Sequence, residues 1–310
     1  MNINTSYLLA LILILTGCSN EIGIKEEPHP INEVPVPILI MPKGIDATTK
    51  ALVDVFTNDN INEIGIYGTS STKIIYNGIS PGQIGSNQEL IFTNPSLVYP
   101  TDGNSITLAG YFPRQSKGTA YTINNNSLQF TLTGEEDLMH AAPINAGNKK
   151  TPEAVNLNFT HKLTSVKFNL VNGTENMLPD GNISITTDAP NSGSLDLSNG
   201  IVTIDQTSTT TFTLSTDINA NTMASKETIS VNGNLLLFPE LAYTFKLKIG
   251  DQSYNIQIDT TNSPAWKAGI SYLLTITIKK LNTLKSFTKS DNKAESSSDS
   301  FIQGNIIQIK

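Results

Sequence analysis

Residues 243–249 read YTFKLKI, in which Tyr243, Phe245, Leu247 and Ile249 alternate with polar side chains. The same period of two recurs in residues 155–160 (VNLNFT), 166–170 (VKFNL), 254–259 (YNIQID) and 272–279 (YLLTITIK). Successive side chains of a strand point to opposite faces, so this alternation is typical of strands with one face in a core and one in water. The body of the chain is therefore predicted to be almost all strand.

Pairs of Asn or Asp followed by Gly punctuate these segments. They are Asn77-Gly78, Asp102-Gly103, Asn172-Gly173, Asp180-Gly181, Asn199-Gly200 and Asn232-Gly233. Such pairs favour tight hairpins, because Asn and Asp tolerate a positive φ and Gly has no steric penalty there. No segment of a dozen residues shows a helical stripe. Short strands separated by turns of this kind predict β-sandwiches.

Composition excludes several classes of protein. The 310 residues carry 20 Lys and Arg against 27 Asp and Glu, a net charge of -7, and Cys18 is the single cysteine. The acidic balance argues against a nucleic-acid partner, which a basic patch would attract. One cysteine cannot form an intrachain disulfide or a cysteine-rich zinc site.

The N-terminal sequence predicts an export signal. Residues 7–15 (YLLALILIL) are apolar, which is about half of the roughly 20 residues that a membrane-spanning helix needs, and suits a secretory signal peptide. The run leads directly into Leu15-Thr16-Gly17-Cys18, which resembles the lipobox of bacterial lipoproteins. Residues 1–17 are thus predicted to be removed and Cys18 to be lipidated, so that acyl chains tether the protein to the outer membrane. The alternative is a buried N-terminal element with a chance cysteine.

A domain boundary is predicted in residues 145–152 (NAGNKKTP), a polar segment with Gly and Pro between two strand-rich halves. The predicted organisation is a signal peptide, a tether with a strand and a loop, two β-sandwich domains in tandem, and a polar linker with a final strand. Their residues are 1–17, 18–50, 51–147, 148–280 and 281–310.

The segment after the tether suits an edge strand. In residues 34–41 (VPVPILIM), Val34, Val36, Ile38 and Ile40 would share one face. The two prolines between them lack an N–H and point their backbone the same way, so the strand can pair fully on one side only. The alternative is a Pro-rich extended linker.

The C-terminus combines a polar segment with a short apolar one. Residues 286–300 (SFTKSDNKAESSSDS) are too polar to fold alone, and residues 301–310 (FIQGNIIQIK) are rich in Ile. Phe301, Ile307 and Ile309 would share one face of a strand. This strand is either a donor to a neighbouring subunit or a terminal strand that folds back onto its own domain.

No catalytic or metal-binding pattern is evident. His29, His140 and His161 each stand alone in sequence, and a structural hydrogen bond is the expected role of His161. The acidic run of residues 135–137 is interpreted as a solvated strand end rather than a cation site. We therefore expect no enzyme activity, no cofactor and no metal.

Five aromatic side chains allow two interpretations. They are Tyr99, Tyr111, Phe112, Tyr121 and Trp266. An exposed row of such rings would bind a sugar, whereas at alternating strand positions aromatic side chains more often fill a core.

Several motifs, taken in order, resemble the fimbrillin-like family. They are residues 97–103 (LVYPTDG) with 108–113 (LAGYFP), residues 137–139 (DLM) with 157–166 (LNFTHKLTSV), and residues 266–272 (WKAGISY). The match spans roughly residues 90–280, and the motifs follow a lipobox. The resemblance implies two transthyretin-like β-sandwich domains in tandem and no enzyme activity. It also implies a lipoprotein precursor of a cell-surface pilus on the outer membrane of a Gram-negative bacterium.

The resemblance further implies assembly by strand exchange with other pilin subunits. In the family, a protease removes the first strand of the N-terminal domain, and the C-terminal strand of the next subunit fills the groove. By this resemblance, Val34, Val36, Ile38 and Ile40 belong to the removable strand. The candidate donor strand carries Phe301, Ile307 and Ile309.

Family members are cut after an Arg, but the candidate cleavage loop, residues 42–50 (PKGIDATTK), contains none, and Lys43 and Lys50 are its basic residues. The resemblance therefore leaves two alternatives, a protease of another specificity or a subunit that stays uncut, as anchor-type subunits do. A host or glycan receptor is a further possible partner. The alternative function is that of a glycan-binding outer-membrane surface lipoprotein.

Overall fold

A computed structural model describes residues 34–43, 55–116, 119–258, 265–279 and 302–309 of the chain. The predictions for Cys18, Lys50 and Phe301 therefore lie outside the described residues. Contacts gather Pro35–Lys310 into one compact unit and Met1–Val34 into another, of which only Val34 is described. The division of the chain at residues 147 and 148 into two domains stays a prediction.

Strands account for nearly all the regular structure of the described residues. In chain order they are β1 (Ile40–Lys43), β2 (Gly65–Ser70), β3 (Lys73–Ile79), β4 (Gln83–Ile84), β5 (Leu90–Ile91), β6 (Thr107–Phe112), β7 (Gln115–Ser116), β8 (Thr119–Ala120), β9 (Thr122–Asn124), β10 (Ser127–Thr131), β11 (Met139–Asn145), β12 (Gly147–Asn148), β13 (Thr151–Pro152), β14 (Val155–His161), β15 (Thr164–Asn172), β16 (Asn182–Asp196), β17 (Val202–Asn219), β18 (Thr228–Leu237), β19 (Phe245–Ile249), β20 (Gln252–Ile258), β21 (Ser271–Ile278) and β22 (Ile302–Ile309). The helices found in this part of the chain are two 3-10 turns, Ile61–Glu63 and Ala220–Thr222. The prediction of an all-β fold is confirmed.

The strands form two principal sheets. The six-stranded sheet has the order β1-β14-β11-β6-β2-β3, and the ten-stranded sheet has the order β18-β15-β21-β22-β20-β19-β16-β10-β9 with β17 paired to β16. Three further pairs, β4 with β5, β7 with β8 and β12 with β13, form small two-stranded sheets.

The predicted boundary in residues 145–152 does not separate the strands of one principal sheet from the strands of the other. Strands β9 and β10 precede residue 148 and yet lie in the ten-stranded sheet, while β14 follows it and lies in the six-stranded sheet. The chain passes from β14 in one sheet to β15 in the other at Lys162 and Leu163. A polar segment with Gly and Pro marks a surface turn, and such a turn does not by itself mark a change of sheet.

Buried hydrophobic side chains form three cores. The first core includes Ile38, Ile40, Ile66, Leu108, Met139, Val155, Leu157 and Phe159. The second core includes Val166, Phe168, Ile185, Phe245, Leu247, Trp266, Tyr272 and Leu274. The third core includes Tyr67, Tyr111, Leu128, Phe130, Leu195 and Leu236, which come from both principal sheets, and Phe238, which follows β18. The two sheets are thus joined by apolar packing within the compact unit.

The Asn-Gly and Asp-Gly pairs serve more than one purpose. Gly200 has a φ of +74° in the hairpin between β16 and β17, as predicted for a tight turn. Gly78 and Gly233 also have a positive φ, but they lie inside β3 and β18, next to shifts in register. A positive φ at Gly suits a β-bulge as well as a hairpin, and the dipeptide alone does not distinguish them.

Candidate assembly site

The N-terminal strand begins its pairing at Val36, against the segment that carries Leu97 and Tyr99. The Ile38 N–H donates to the Leu97 carbonyl at 3.0 Å, and the Tyr99 N–H donates to the Val36 carbonyl at 2.9 Å. An antiparallel bridge joins Pro37 to the residue between these two partners. The prolines therefore do not interrupt this ladder, because each N–H that it needs comes from another residue.

The strand then changes partner and runs parallel to β14. The Val155 N–H donates to the Leu39 carbonyl at 3.0 Å, and in the ladder that follows Ile40 lies opposite Val155 and Lys43 lies opposite Asn158. Among the described residues, β14 is the sole ladder partner of β1, which lies at the edge of the six-stranded sheet. The strand has the position that one-sided pairing predicts.

Apolar side chains attach this strand to the first core. Ile40 is fully buried, Ile38 is 4% exposed, and Val36 is half-buried against the same core. Val34, which the alternation placed on the same face, is 83% exposed. The predicted face thus extends over three of its four residues, because the pairing of the strand begins only at Val36.

The segment that receives the strand is held by other contacts. The Tyr76 hydroxyl donates to the Val98 carbonyl at 2.6 Å and accepts from the Val98 N–H at 2.8 Å. The Tyr99 hydroxyl donates to the Ala146 carbonyl at 2.7 Å and accepts from the Glu153 N–H at 3.2 Å. Burial raises the pKa of both phenols. Sequence reasoning missed Tyr76, whereas Tyr99 belonged to a quoted motif whose structural role was unknown.

A cleft of about 600 Å³ lies beside the strand. Pro37, Leu39, Leu90, Phe92 and Val98 are among the residues that line it. Leu39 is 48% exposed, so the outer face of the strand keeps apolar surface in contact with solvent.

The first two residues of the candidate cleavage loop, Pro42 and Lys43, belong to strand β1. Lys43 is the last residue of β1, and its backbone is still paired there. Residues 44–54, including Lys50, lie outside the described residues. The assignment of this loop stays a prediction.

The C-terminal strand β22 lies within the ten-stranded sheet of its own chain. It runs antiparallel to β21 from the pair of Thr277 and Gln303 to the pair of Ser271 and Ile309. Its other neighbour, β20, is parallel and pairs with it from Ile302 to Gly304 only. The segment therefore takes the folded-back arrangement in this structure, and donation to a second subunit stays a prediction.

The ladder also fixes the register of the candidate donor residues. Ile307 lies opposite Leu273, and Ile309 lies opposite Ser271. The two ends of the described chain, β1 and β22, belong to different sheets, so the structure does not bring the predicted removable and donor strands together.

The buried pair of Asp137 and His161 explains why the motif at residues 137–139 and the motif at residues 157–166 occur together. Met139 lies opposite His161 in the ladder, and the Nδ1 atom of His161 lies 2.9 Å from the Oδ1 atom of the buried Asp137. This agrees with the structural role expected for His161. The interpretation of residues 135–137 as a solvated strand end is wrong for Asp137, because its side chain is buried. Its neighbour Glu136 accepts a hydrogen bond from the Thr133 hydroxyl at 2.7 Å.

Most of the aromatic side chains considered for sugar binding fill cores. Tyr99, Tyr111, Phe112 and Trp266 are between 3% and 8% exposed, and Trp266 packs edge-on against Tyr272 at 4.8 Å. Tyr121 is the only one of the five that is partly exposed rather than buried. The five rings do not form an exposed row.

Two other kinds of feature are missing from the part of the chain that the structure describes. It has no group of three or more His, Cys, Asp or Glu side chains placed to hold a metal ion. It also has no helix with the length and hydropathy needed to cross a membrane.

The fold and the motifs identify a class of protein. The sequence pattern of fimbrillin-like proteins matches residues 49–293, and the chain belongs to the fimbrillin-like family. It is a family of fimbrial, cell-surface proteins, not an enzyme family. Among curated proteins, none matches this sequence.

Solved structures are similar to this chain at low sequence identity. A candidate cell adhesion protein from Bacteroides uniformis is 17% identical, with a TM-score of 0.55 over 88% of this chain and 98% of that one. A candidate cell adhesion protein from Bacteroides ovatus is 13% identical, with a TM-score of 0.50 over 79% and 93% of the two chains. The fimbrial anchor protein Mfa2 from Porphyromonas gingivalis is 9% identical, with a TM-score of 0.47 over 79% and 91%.

Proposed function

We propose that this chain is a structural and adhesive subunit of a cell-surface pilus, exported as a lipoprotein and assembled by strand exchange between subunits. The N-terminal edge strand is the observation that carries the proposal. It fills a site in the first core, and the segment that receives it is fixed by Tyr76 and Tyr99 through bonds to other parts of the fold. Removal of the strand would leave a preformed apolar groove with unpaired backbone groups, which is a site for β-augmentation.

The proposed donor is the C-terminal strand. Residues 301–310 follow a polar segment that is long enough to let them reach a neighbour, and they carry apolar side chains at alternating positions. In this chain β22 pairs with β21 along its length and with β20 only from Ile302 to Gly304. Assembly exchanges this internal pairing for equivalent main-chain hydrogen bonds in the groove of another subunit.

Lipidation and processing complete the proposal. Cys18 carries the lipid that holds the precursor at the outer membrane, and cleavage in residues 42–50, at Lys43 or Lys50, releases the first strand. The partners are other pilin subunits and a host or glycan receptor.

Deletion of residues 301–310 tests the proposal. The chain that lacks them should form no fibres, because no subunit then carries a donor strand. The deletion also removes a strand from the interior of the ten-stranded sheet, so it should lower the free energy of unfolding of the monomer. A synthetic peptide FIQGNIIQIK should restore that stability by filling the vacant position, without restoring fibres, since a free peptide links no subunits.

A second variant serves as the control. Scrambling the order of residues 286–300 keeps the length and polarity of the linker, and this chain should assemble like the wild type. Electron microscopy and size-exclusion chromatography measure assembly in each case. Fibres formed by the chain without residues 301–310 would contradict the donor assignment.

The second candidate function is that of a glycan-binding surface lipoprotein. The burial of Tyr111 and Trp266 removes the row of exposed aromatic side chains on which a flat sugar-binding surface would depend. Tyr121 remains as the aromatic side chain that favours this candidate.

A further inference from the structure

A concave site lies where the β7–β8 hairpin meets strands β9, β10, β16 and β17. Its volume is about 650 Å³, which is within the range of sites for small ligands. We call it the hydroxyl trough, and define it by Tyr121, Thr122, Gln129, Thr131, Ser192 and Asp205, which are among its lining residues.

Strand register places the polar side chains of the trough in rows. Thr131 lies opposite Ser192, and Ser192 lies opposite Asp205, so one row crosses three strands. Gln129 lies opposite Thr122 and forms a second row on the neighbouring strand pair. Residues directly opposite each other share a face of the sheet at about 4.5–5.5 Å between Cβ atoms, which is on the scale of one sugar ring.

The hydroxyls of this surface are available to a ligand. Those of Thr122, Thr131 and Ser192 have no hydrogen-bond partner among the described residues, as all the bonds found for this part of the chain involve other side chains. Two other hydroxyls at the margin are already used, because Ser116 and Thr133 both donate to Glu136. These bonds fix the side chains at the margin of the trough, while the hydroxyls on its floor remain free to bind a ligand.

Charge limits the chemistry of the ligand. Asp205 accepts hydrogen bonds from the backbone and hydroxyl of Thr207, which lower the pKa of its carboxyl and keep it ionised. Among the described lining residues the one charged group is the Asp205 carboxylate, which repels an anionic ligand. A carboxylate and an amide are strong partners for neutral hydroxyl donors.

Tyr121 adds an aromatic wall. It is the least buried of the five aromatic side chains considered for sugar binding, its ring lies 6.2 Å from that of Phe130, and it lines the trough. Its buried hydroxyl has no hydrogen-bond partner among the described residues. A partly exposed ring beside rows of hydroxyl, amide and carboxylate groups is a combination that suits a carbohydrate.

We propose that the hydroxyl trough binds a neutral saccharide of a few sugar units. This site is distinct from the assembly strands, because none of its residues belongs to residues 34–43 or 301–310. Failure of strand exchange would therefore leave the proposal intact, and the absence of saccharide binding would leave strand exchange intact.

A glycan array tests the proposal with the full chain. The array carries neutral di- to tetrasaccharides beside sialylated and sulfated ones, and we expect retention on one or more neutral glycans. Thr131→Arg places a large side chain across the floor and should weaken that binding at least tenfold. Thr213→Arg is the matched control, since Thr213 is also an exposed threonine of the same sheet and lies outside the trough, and it should bind like the wild type.

Thermal unfolding of each variant separates a local effect from a loss of fold. If Thr131→Arg unfolds at a lower temperature than the wild type, Gln129→Ala replaces it, with an expected loss of at least threefold in affinity. Retention of no neutral glycan, retention of charged glycans alone, or equal binding by the wild type and the trough variant would overturn the proposal.

Discussion

At the scale of single residues, two tyrosines differ in what their hydroxyls contact. The Tyr99 hydroxyl bonds the Ala146 carbonyl and the Glu153 N–H, while the buried Tyr121 hydroxyl has no partner among the described residues. Tyr99→Phe removes both bonds, while the Glu153 N–H still donates to the Ala146 carbonyl at 3.1 Å, so it should lower the free energy of unfolding by about 0.5–1.5 kcal/mol. Tyr121→Phe leaves no group unpaired and should be neutral or slightly stabilising.

Urea unfolding of the two variants measures this difference directly. Both substitutions remove one oxygen atom from a tyrosine, so they differ only in the hydrogen bonds that are lost. Equal stability of the two variants would show that the Tyr99 bonds do not fix the segment that receives the N-terminal strand.

His140 makes stability depend on pH. Its side chain is 2% exposed, its Nε2 atom lies 3.1 Å from the Leu197 carbonyl oxygen, and burial lowers its pKa below 6.5, with the nearby Lys162 acting in the same direction. Below a pH of about 6.5 the unfolded chain takes up a proton that the folded chain does not. The free energy of unfolding therefore falls as the pH falls below that value, by at most about 1.4 kcal/mol per pH unit, until the folded-state pKa is reached.

Unfolding at pH 7.5, 6.5 and 5.5 checks this contribution. His140→Gln keeps an N–H donor for Leu197 but does not titrate, so it should lose less stability between pH 7.5 and 5.5 than the wild type. The same slope in both proteins would assign the pH dependence to other groups.

At the scale of elements, two glycines with nearly the same backbone conformation have different surroundings. Gly200 has a φ of +74°, and a Cβ there would lie 2.6 Å from His140 Nδ1 and 2.8 Å from Lys162 Nζ. Gly103 has a φ of +79°, and a Cβ there would contact nothing within 4 Å. Gly103→Ala should cost about 1 kcal/mol for its backbone conformation, while Gly200→Ala should cost more because the hairpin must also shift.

Thermal unfolding of the two alanine variants measures the difference. The hairpin between β16 and β17 is the element concerned, and a larger loss for Gly103→Ala would contradict the close packing at Gly200.

The edge strand can be tested without removing it. Ile40→Asp places a charge in the first core and should detach the strand, whereas Leu39→Asp alters a neighbour that is 48% exposed and should leave it in place. The Val155 N–H, which donates to the Leu39 carbonyl, reports detachment by faster hydrogen exchange. Protection at Val155 that survives Ile40→Asp would show that backbone pairing alone retains the strand.

At the scale of the whole molecule, the alternation of apolar and polar residues predicted more of the structure than the turn segments with Gly and Pro did. The alternation in residues 243–249 predicted strand β19 with Phe245, Leu247 and Ile249 buried, because the period of two is a local property of the backbone. The passage between sheets at Lys162 and Leu163 depends on long-range pairing, which no local pattern encodes. The position of β22 between β20 and β21 is long-range in the same sense.

Some features of the candidate assembly site could also be predicted from local sequence, and others could not. The spacing of Pro35 and Pro37 predicted pairing on one side, and these prolines lie in the segment that pairs with residues 97–99. The edge position in the six-stranded sheet belongs to β1, which follows them. The hydroxyl of Tyr76 and the burial of Asp137 became evident only in three dimensions, because each depends on a partner distant in sequence.

The whole-molecule prediction concerns the form of the protein on the cell surface. If the chain assembles by strand exchange, subunits recovered from fibres should begin between Lys43 and Ala51 and carry no lipid, since cleavage removes Cys18 together with the first strand. Intact mass measures both properties at once. Lys43→Ala combined with Lys50→Ala should cause the full-length acylated form to accumulate and fibres to decrease, with Lys73→Ala, outside the loop, as the matched control. Fibres built from acylated chains that begin at Cys18 would contradict removal of the strand, because the groove in the first core would then still be filled by Ile38 and Ile40.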